Sequence, residues 1–473
     1  MRSKETYVVW GFFVAALLIG LAAAPRYGVS WDEPNMLNLG TEAVQYILGN
    51  GEWPVSTIRR FHGPLVEILL YSTQKILGID TPYSIFVLRH ILTYVIFLGG
   101  LAAFYALAKR MFADWKLALI GTVMLFLSPR IFAHAFYNSR DIPNLVLFTV
   151  SMLTLNRALE KPTKKRILIH ALATAAAIAV RTISVLIIPI SLIMLINRQR
   201  KKSLATVALY LAATAACTYA LWPLLWEAPL THLKDAMLFS GSLQRTEYYF
   251  GIMQIPPWHY LPVWITITTP VLYGIFFLGG IIPAVKRHLW IPLLWFFLPV
   301  VVQIVARIGI YDAWRHMYFI YPALLLIALA GVQCLPRKNI AIGVLTASFV
   351  CTSLWMVLNH PLQDSYFSLP GKLVDDRMER DYWGLSFKEG LLWILNNDPR
   401  ETIGIAATSP PGYFSAFTLP EKLQKRIVFR KENHDYMLDN FRESHYKERF
   451  PEELLVHEIR VDGLRVLGVY KIR

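Results

Sequence analysis

Residues 7–24 read YVVWGFFVAALLIGLAAA, and the chain then turns polar at Trp31-Asp32-Glu33-Pro34. The first stretch is apolar and long enough to cross a bilayer as a single helix. The second places two adjacent carboxylates and an aromatic ring at the water boundary, where an ionised group is far less costly than at mid-bilayer. Ala22-Ala23-Ala24 resembles a signal-peptide cleavage site, but the length of the run and the acidic loop behind it favour retention as a membrane helix. An apolar span followed at once by reactive side chains is a pattern that later parts of the chain repeat.

Ten further apolar windows follow, at 84–107, 117–128, 142–155, 167–180, 183–196, 205–221, 263–285, 289–306, 318–335 and 340–358. With 55% hydrophobic residues and a mean hydropathy of +0.42, the 473-residue chain is excluded as a soluble enzyme and reads as a mainly α, polytopic membrane protein of about eleven helices. Several windows fall short of the roughly 20 residues a full span requires, so those helices are expected to be short, tilted or extended by their flanks. The net charge of +15 is distributed by topology rather than for nucleic acid. Arg2 and Lys4, Lys109 and Arg110, Lys161 to Arg166, Arg198 to Lys202, Lys286 and Arg287, and Arg337 and Lys338 fill alternate gaps. Counting all eleven helices puts every basic gap on one side, which predicts a cytoplasmic N-terminus, an extracytoplasmic C-terminus and a cell (inner) membrane location. Cys217, Cys334 and Cys351 lie in apolar segments at unrelated spacings and predict neither a disulfide framework nor a metal motif.

The opposite, outer gaps are longer and richer in chemistry. The first, 25–82, reads as two amphipathic interfacial helices, with Met36, Leu39, Ala43 and Ile47 on one stripe and Leu65, Ile68, Leu69 and Ile76 on the other. Between them lies Arg59-Arg60-Phe61-His62-Gly63-Pro64-Leu65. A second outer turn holds Arg130, His134, Tyr137, Asn138, Ser139, Arg140 and Asp141. The third, 222–262, carries Trp226, Tyr248, Tyr249, Trp258 and Tyr260, which predicts an aromatic belt at headgroup depth. A fourth contains Tyr311, Asp312, Trp314, Arg315 and His316. Beyond Leu358 charged residues become frequent. An amphipathic helix at 387–395 and strands at 403–407, 426–429, 454–461 and 464–472, the last two joined by Asp462-Gly463, predict a small α/β domain over 360–473 behind a membrane module over 1–359.

An outer membrane face lacks nucleotide sugars, so group transfer there draws on lipid-linked donors. A polyprenyl-phosphate sugar keeps its tail among membrane lipids, its phosphate at headgroup depth and its sugar in water. Transfer to an acceptor hydroxyl needs a general base, for which Asp32 is the candidate. The departing phosphate needs cations, and arginine supplies a permanent, bidentate charge. Arg181, Arg315 and Arg140 are the candidates, with His62 and His316 beside them. Each has a plainer reading. Arg181 and the Arg315-His316 pair fit snorkelling to headgroups, Asp141 fits the N-cap of a helix opened by Pro143, Glu33 fits a turn residue, and His62 fits loop architecture.

An acidic pair after helix one, a His-Gly-Pro-Leu segment and an Arg-Asp opening helix four resemble the GT-C superfamily of membrane glycosyltransferases, in particular its protein O-mannosyltransferase (family 39) and aminoarabinose-transferase branch. Tyr311-Asp312-Ala313-Trp314-Arg315-His316 and Glu379-Arg380-Asp381-Tyr382-Trp383-Gly384 are similar to bacterial members of that branch. The resemblance covers the membrane part. It implies a GT-C fold with interfacial helices in loop one, and inverting transfer from a polyprenyl-phosphate sugar. It also implies Asp32 as catalytic base, Glu33 as its partner and Asp141 as the second acid. His62-Gly63-Pro64-Leu65 stands where relatives carry Lys/His-Pro-Pro-Leu; the glycine departs from that pattern. The acceptor is a protein, lipid or glycan. No cofactor follows from the residues; Asp32, Glu33 and Asp141 are compatible with a divalent cation, but no spacing requires one. Rival readings are a transporter, which would place ionisable groups at mid-bilayer on repeated halves, and a lipid-linked-sugar binding protein without catalysis.

Overall fold

The computed structural model of the chain describes every residue except 1–3, 54–56, 200–202, 243 and 443–448; Arg2, Arg200, Lys201 and Lys202 of the basic gaps lie outside the described residues. All eleven apolar windows are helical. Six helical stretches are long and apolar enough to cross a membrane, or seven if Trp115–Phe126 and Pro129–Tyr137, bent by 67°, form one broken span. The windows at 167–180, 183–196, 263–285 and 289–306 are shorter helices, so length alone does not support eleven full spans among the described residues. Window 263–285 is divided at Thr269-Pro270, because Pro270 has no amide to continue the preceding helix Tyr260–Thr268. The helix Pro129–Tyr137 occupies what the sequence presents as an outer turn; all nine of its residues are buried.

The bundle is held by side-chain packing and by close backbone approach. Gly280 of Val271–Lys286 and Gly331 of Tyr321–Cys334 face each other so closely that an added Cβ on either would strike the partner backbone. Loop one forms the two expected helices, Glu33–Ile47 and Leu65–Ile76, packed on each other with Gly40 against the Glu67 backbone. The third outer loop folds as the helix Pro229–Ser242 and a hairpin of β1 (Glu247–Tyr249) and β2 (Ile252–Gln254). Its aromatic residues do not form one belt. Tyr248, Tyr249 and Tyr260 are buried whereas Trp226 and Trp258 are exposed, because the hairpin docks on the segment after the last span, where the Tyr248 hydroxyl donates to Asp376 O at 2.6 Å.

The C-terminal region is a small α/β domain. Its sheet has the order β4-β3-β5-β7-β6, with β3 (Ile403–Ala407) parallel to β4 (Ile427–Phe429) and to β5 (Tyr436–Asp439). β7 (Leu464–Lys471) runs antiparallel to β5 and to β6 (Leu455–Val461). Asp462 and Gly463 both have positive φ, 51° and 83°, as the tight hairpin demands. The helix Ser386–Asn397 covers the sheet with Phe387, Leu391 and Ile394. The four residues of β5 are too few to show a strand period in the sequence.

Candidate active site

Asp32 precedes the first residue of Glu33–Ile47 and its side chain does not cap that helix. The carboxylate is free to reach across the site, where Oδ2 lies 3.4 Å from Arg315 Nη1 with a quarter of the side chain exposed. Glu33 turns the other way. It is buried, accepts the Ser30 amide at 2.7 Å and pairs with His90 Nε2 at 2.8 Å, while His90 Nδ1 faces Ala24 O at 3.1 Å. The expected partnership of Asp32 and Glu33 is therefore not a facing pair of acids. Glu33 ties loop one to the helix Pro82–Phe112 and thereby sets where Asp32 sits.

Asp141 is the first residue of its helix rather than the cap. Asn138 does the capping, its Oδ1 accepting the amides of Asp141 at 2.9 Å and Arg140 at 3.3 Å. The Asp141 carboxylate is thus released for other contacts. It accepts Asn138 Nδ2 at 2.9 Å, pairs with Arg181 and reaches Arg315 Nη1 at 3.2 Å. Arg181, the orphan cation of the sequence, has its anion here instead of snorkelling.

Arg315 is the hub. It pairs with Asp32, Asp141 and, through Nη2 at 2.8 Å, Asp312, and it lies against the rings of Trp383, Tyr382 and Tyr311 at 5.1, 5.5 and 5.6 Å. The turn that aims it is strained: Asp312 and Ala313 both have positive φ, 54° and 59°, which alanine adopts rarely. The surroundings compensate, with Glu247 Oε2 accepting the Asp312 amide at 2.8 Å and the Tyr260 hydroxyl accepting the Ala313 amide at 3.1 Å. Arg442, from the C-terminal domain, pairs with Asp312 at 3.2 Å and Glu379 at 3.1 Å and covers the Trp31 ring at 4.7 Å.

A cavity of about 280 Å³ opens beside this cluster. Val180, Ile183, Leu186, Met237 and Val302 make most of its wall apolar, while His62, Arg140, Arg181 and His316 close one end. Gly63 explains the departure from the Pro-Pro pattern: its Cα presses on the Ala179–Val180 backbone, where a Cβ has no room, and this contact sets His62 beside the Arg181 loop. His62 Nδ1 lies 3.1 Å from Arg140 Nη2. Burial and the guanidinia of Arg140, Arg181 and Arg315 push the His62 pKa well down, so the ring is neutral and Nδ1 accepts from Arg140. Among the described residues no carboxylate pairs with Arg140. His316 packs edge-on against Tyr311, ring centres 4.3 Å apart, and its Nδ1 is buried without a partner.

The structure thus brings together Asp32, Asp141, Arg140, Arg181, Arg315, His62 and His316, and turns Glu33 away. With Glu33 facing His90, the trio Asp32, Glu33 and Asp141 does not form a cation cage. The carboxylates that do gather among the described residues are Glu247, Asp312 and Glu379, buried and within 4.8 Å of one another. Arg442 and Arg315 already supply positive charge there, and burial, with Glu379 and Asp312 alongside, pushes Glu247 up to about 9. Asn138, Glu247, Glu379 and Arg442 are site-building residues that sequence reasoning did not assign. Asn138 stood beside Arg140-Asp141 and Glu379 within the quoted 379–384 segment, whereas nothing in the sequence marked Glu247 or Arg442.

Residues 62–226 match the family model described as dolichyl-phosphate-mannose-protein mannosyltransferase. Comparison with curated proteins returns no significant match. Among solved structures, ArnT from Cupriavidus metallidurans, bound to undecaprenyl phosphate, aligns over 99% of this chain and 98% of its own at 12% identity and a TM-score of 0.56; its apo state gives 0.57 at the same identity and coverage. The Archaeoglobus fulgidus oligosaccharyltransferase in its apo form aligns over 90% of this chain and 65% of its own, at 11% identity and a TM-score of 0.50. The whole chain therefore has the GT-C fold, and the matched segment is the one that carries His62, Arg140, Asp141 and Arg181. Residues 62–226 are thus similar to the dolichyl-phosphate-mannose-protein mannosyltransferase family, and the chain as a whole shares the fold of ArnT, with six or seven helical stretches long and apolar enough to cross a membrane.

Proposed function

We propose that this protein transfers a sugar, with inversion, from a polyprenyl-phosphate donor to an acceptor hydroxyl at the outer face of the cell membrane. The observation that carries this reading is an apolar cavity lined at one end by two guanidinia, Arg181 paired with Asp141 and Arg140 without a carboxylate partner among the described residues, beside the Arg315 cluster that holds a partly exposed Asp32. An isoprenoid tail fits the apolar wall and a phosphate fits the cationic end. The ArnT structure of the same fold is bound to undecaprenyl phosphate, which supports that class of donor.

In the proposed step Asp32 accepts the proton of the acceptor hydroxyl as its oxygen bonds to the anomeric carbon. The bond from that carbon to the phosphate oxygen breaks on the opposite face, and its electron pair leaves with the polyprenyl phosphate. Arg140, Arg181 and Arg315 stabilise the charge gathering there, with His62 and His316 shaping the anion's seat. Asp141 serves by holding Arg181 and Arg315 in position, and Glu33 by holding loop one. The basic gaps favour the orientation that puts this site outside.

Turnover of a radiolabelled undecaprenyl-phosphate sugar in proteoliposomes tests the assignment. Asp32→Asn is expected to lose transfer by a factor on the order of 10²–10⁴ while still binding the lipid phosphate. Undiminished transfer would remove Asp32 from the chemistry.

A further inference from the structure

Among the described residues that line the cavity, three have a buried polar atom without a hydrogen-bond partner: Arg140 Nε, His316 Nδ1 and Gln303 Oε1. The first two belong to the cationic end. Gln303 differs, because its free atom can only accept. It lies near the end of the helix Trp290–Val305, is 9% exposed, and lines both this cavity and an adjoining one of about 400 Å³. The two cavities share Gln303 and the Ile308-Gly309-Ile310 segment as a common wall.

The orientation of the amide is fixed. Gln303 Nε2 donates to Ile308 O at 3.3 Å, and the Ile308 amide donates back to Gln303 O at 3.2 Å. Turning the amide over would set two oxygens against each other, so Oε1 stays the unpaired atom of a side chain that lines both cavities. A buried carbonyl oxygen without a donor is rare and costly in a folded protein. An ionised phosphate offers only lone pairs and would be repelled by it, and an isoprenoid tail offers no polar hydrogen. The part of the donor that carries O–H or N–H groups is its sugar.

Resting on the function proposed above, we propose that Gln303 Oε1 accepts a hydrogen bond from a hydroxyl or amino group of the donor's sugar, which makes the shared wall the seat of the sugar and Gln303 a specificity residue. The cationic end then reads the phosphate and Gln303 reads the head that distinguishes loaded from spent lipid.

The test compares wild type with Gln303→Met, which keeps side-chain length but removes the carbonyl. Equilibrium binding is measured in nanodiscs for undecaprenyl phosphate and for undecaprenyl phosphate carrying mannose, glucose or aminoarabinose. Wild type is expected to bind its preferred sugar-bearing lipid more tightly than the bare one. In Gln303→Met the bare lipid should bind as before, which also reports a folded site, while the sugar-bearing lipid weakens about tenfold, the worth of one buried hydrogen bond. An unchanged preference for the sugar-bearing lipid, or equal weakening of both lipids, overturns the assignment of Gln303. Failure of wild type to bind undecaprenyl phosphate at all overturns instead the donor reading on which it rests.

Discussion

Arg315 Nη1 lies 3.2 Å from Asp141 Oδ2, joining the start of one membrane helix to a turn 174 residues later. Both side chains are buried, and the same guanidinium also holds Asp312 and Asp32. Removing one partner of a buried ion pair leaves the other charge uncompensated, at about 3–5 kcal/mol. Arg315→Met is therefore expected to unfold at a clearly lower temperature in detergent and to show no transfer. A variant that loses activity with an unchanged melting temperature would contradict the structural half of this role.

Asp32 and Glu33 are neighbours in sequence with different work. Asp32→Asn should leave thermal stability nearly unchanged, because that carboxylate is partly exposed and does not cap its helix. Glu33→Gln should lower stability measurably, by roughly 1–3 kcal/mol, because it disrupts buried contacts to His90 and Ser30. Rates should follow the opposite order, with Asp32→Asn the slower enzyme. Parallel melting curves and activity assays on the two variants check both orders at once.

Gly63→Ala is a probe of local geometry. The added methyl meets the Ala179–Val180 backbone, which cannot move without displacing Arg181. Donor binding should weaken although no charged group has been altered. Wild-type affinity for undecaprenyl phosphate in this variant would show that the contact does not position the cationic end.

Glu247 gives a pH signature. Its carboxyl is pushed up to about 9 in the fold from an ordinary value of 4.5, so between those limits the folded state binds more protons than the unfolded state. Stability contributed by this group is full below about 4.5 and is lost as pH rises through 9. Glu247→Gln removes the titration but keeps a group that can hold the Asp312 amide. Melting temperatures from pH 6 to pH 10 should show the variant gaining on wild type as pH rises; a constant difference would contradict this.

Much of this architecture was legible because its signals are local. The apolar windows, the two helices of loop one and the Asp462-Gly463 turn each depend on residues within a few positions of one another; the windows are helical, though not all long enough to span, and the loop-one helices and the turn took the expected form. The site was legible where a charge sat in the wrong company, as Arg181 did among apolar residues. What stayed hidden depends on distant partners. Asp141 read equally as a cap and as a site acid, because the sequence cannot show Asn138 taking the amides and Arg315 reaching the carboxylate. Glu33 read as a partner facing Asp32 because its adjacency is visible in the sequence and its contact with His90 is not. The burial of Pro129–Tyr137 and the reach of Arg442 from the C-terminal domain to Trp31 likewise arise only once the chain is folded.

The central claim separates two duties, with Arg140 and its neighbours holding phosphate and Asp32 taking a proton. The most direct test measures undecaprenyl-phosphate affinity and saturated transfer rate together in Asp32→Asn and Arg140→Gln. The account predicts that Asp32→Asn keeps its affinity and loses its rate, and that Arg140→Gln loses about tenfold or more in affinity, as for a charge-assisted contact. Weakened lipid binding in Asp32→Asn together with unaltered binding in Arg140→Gln would contradict it.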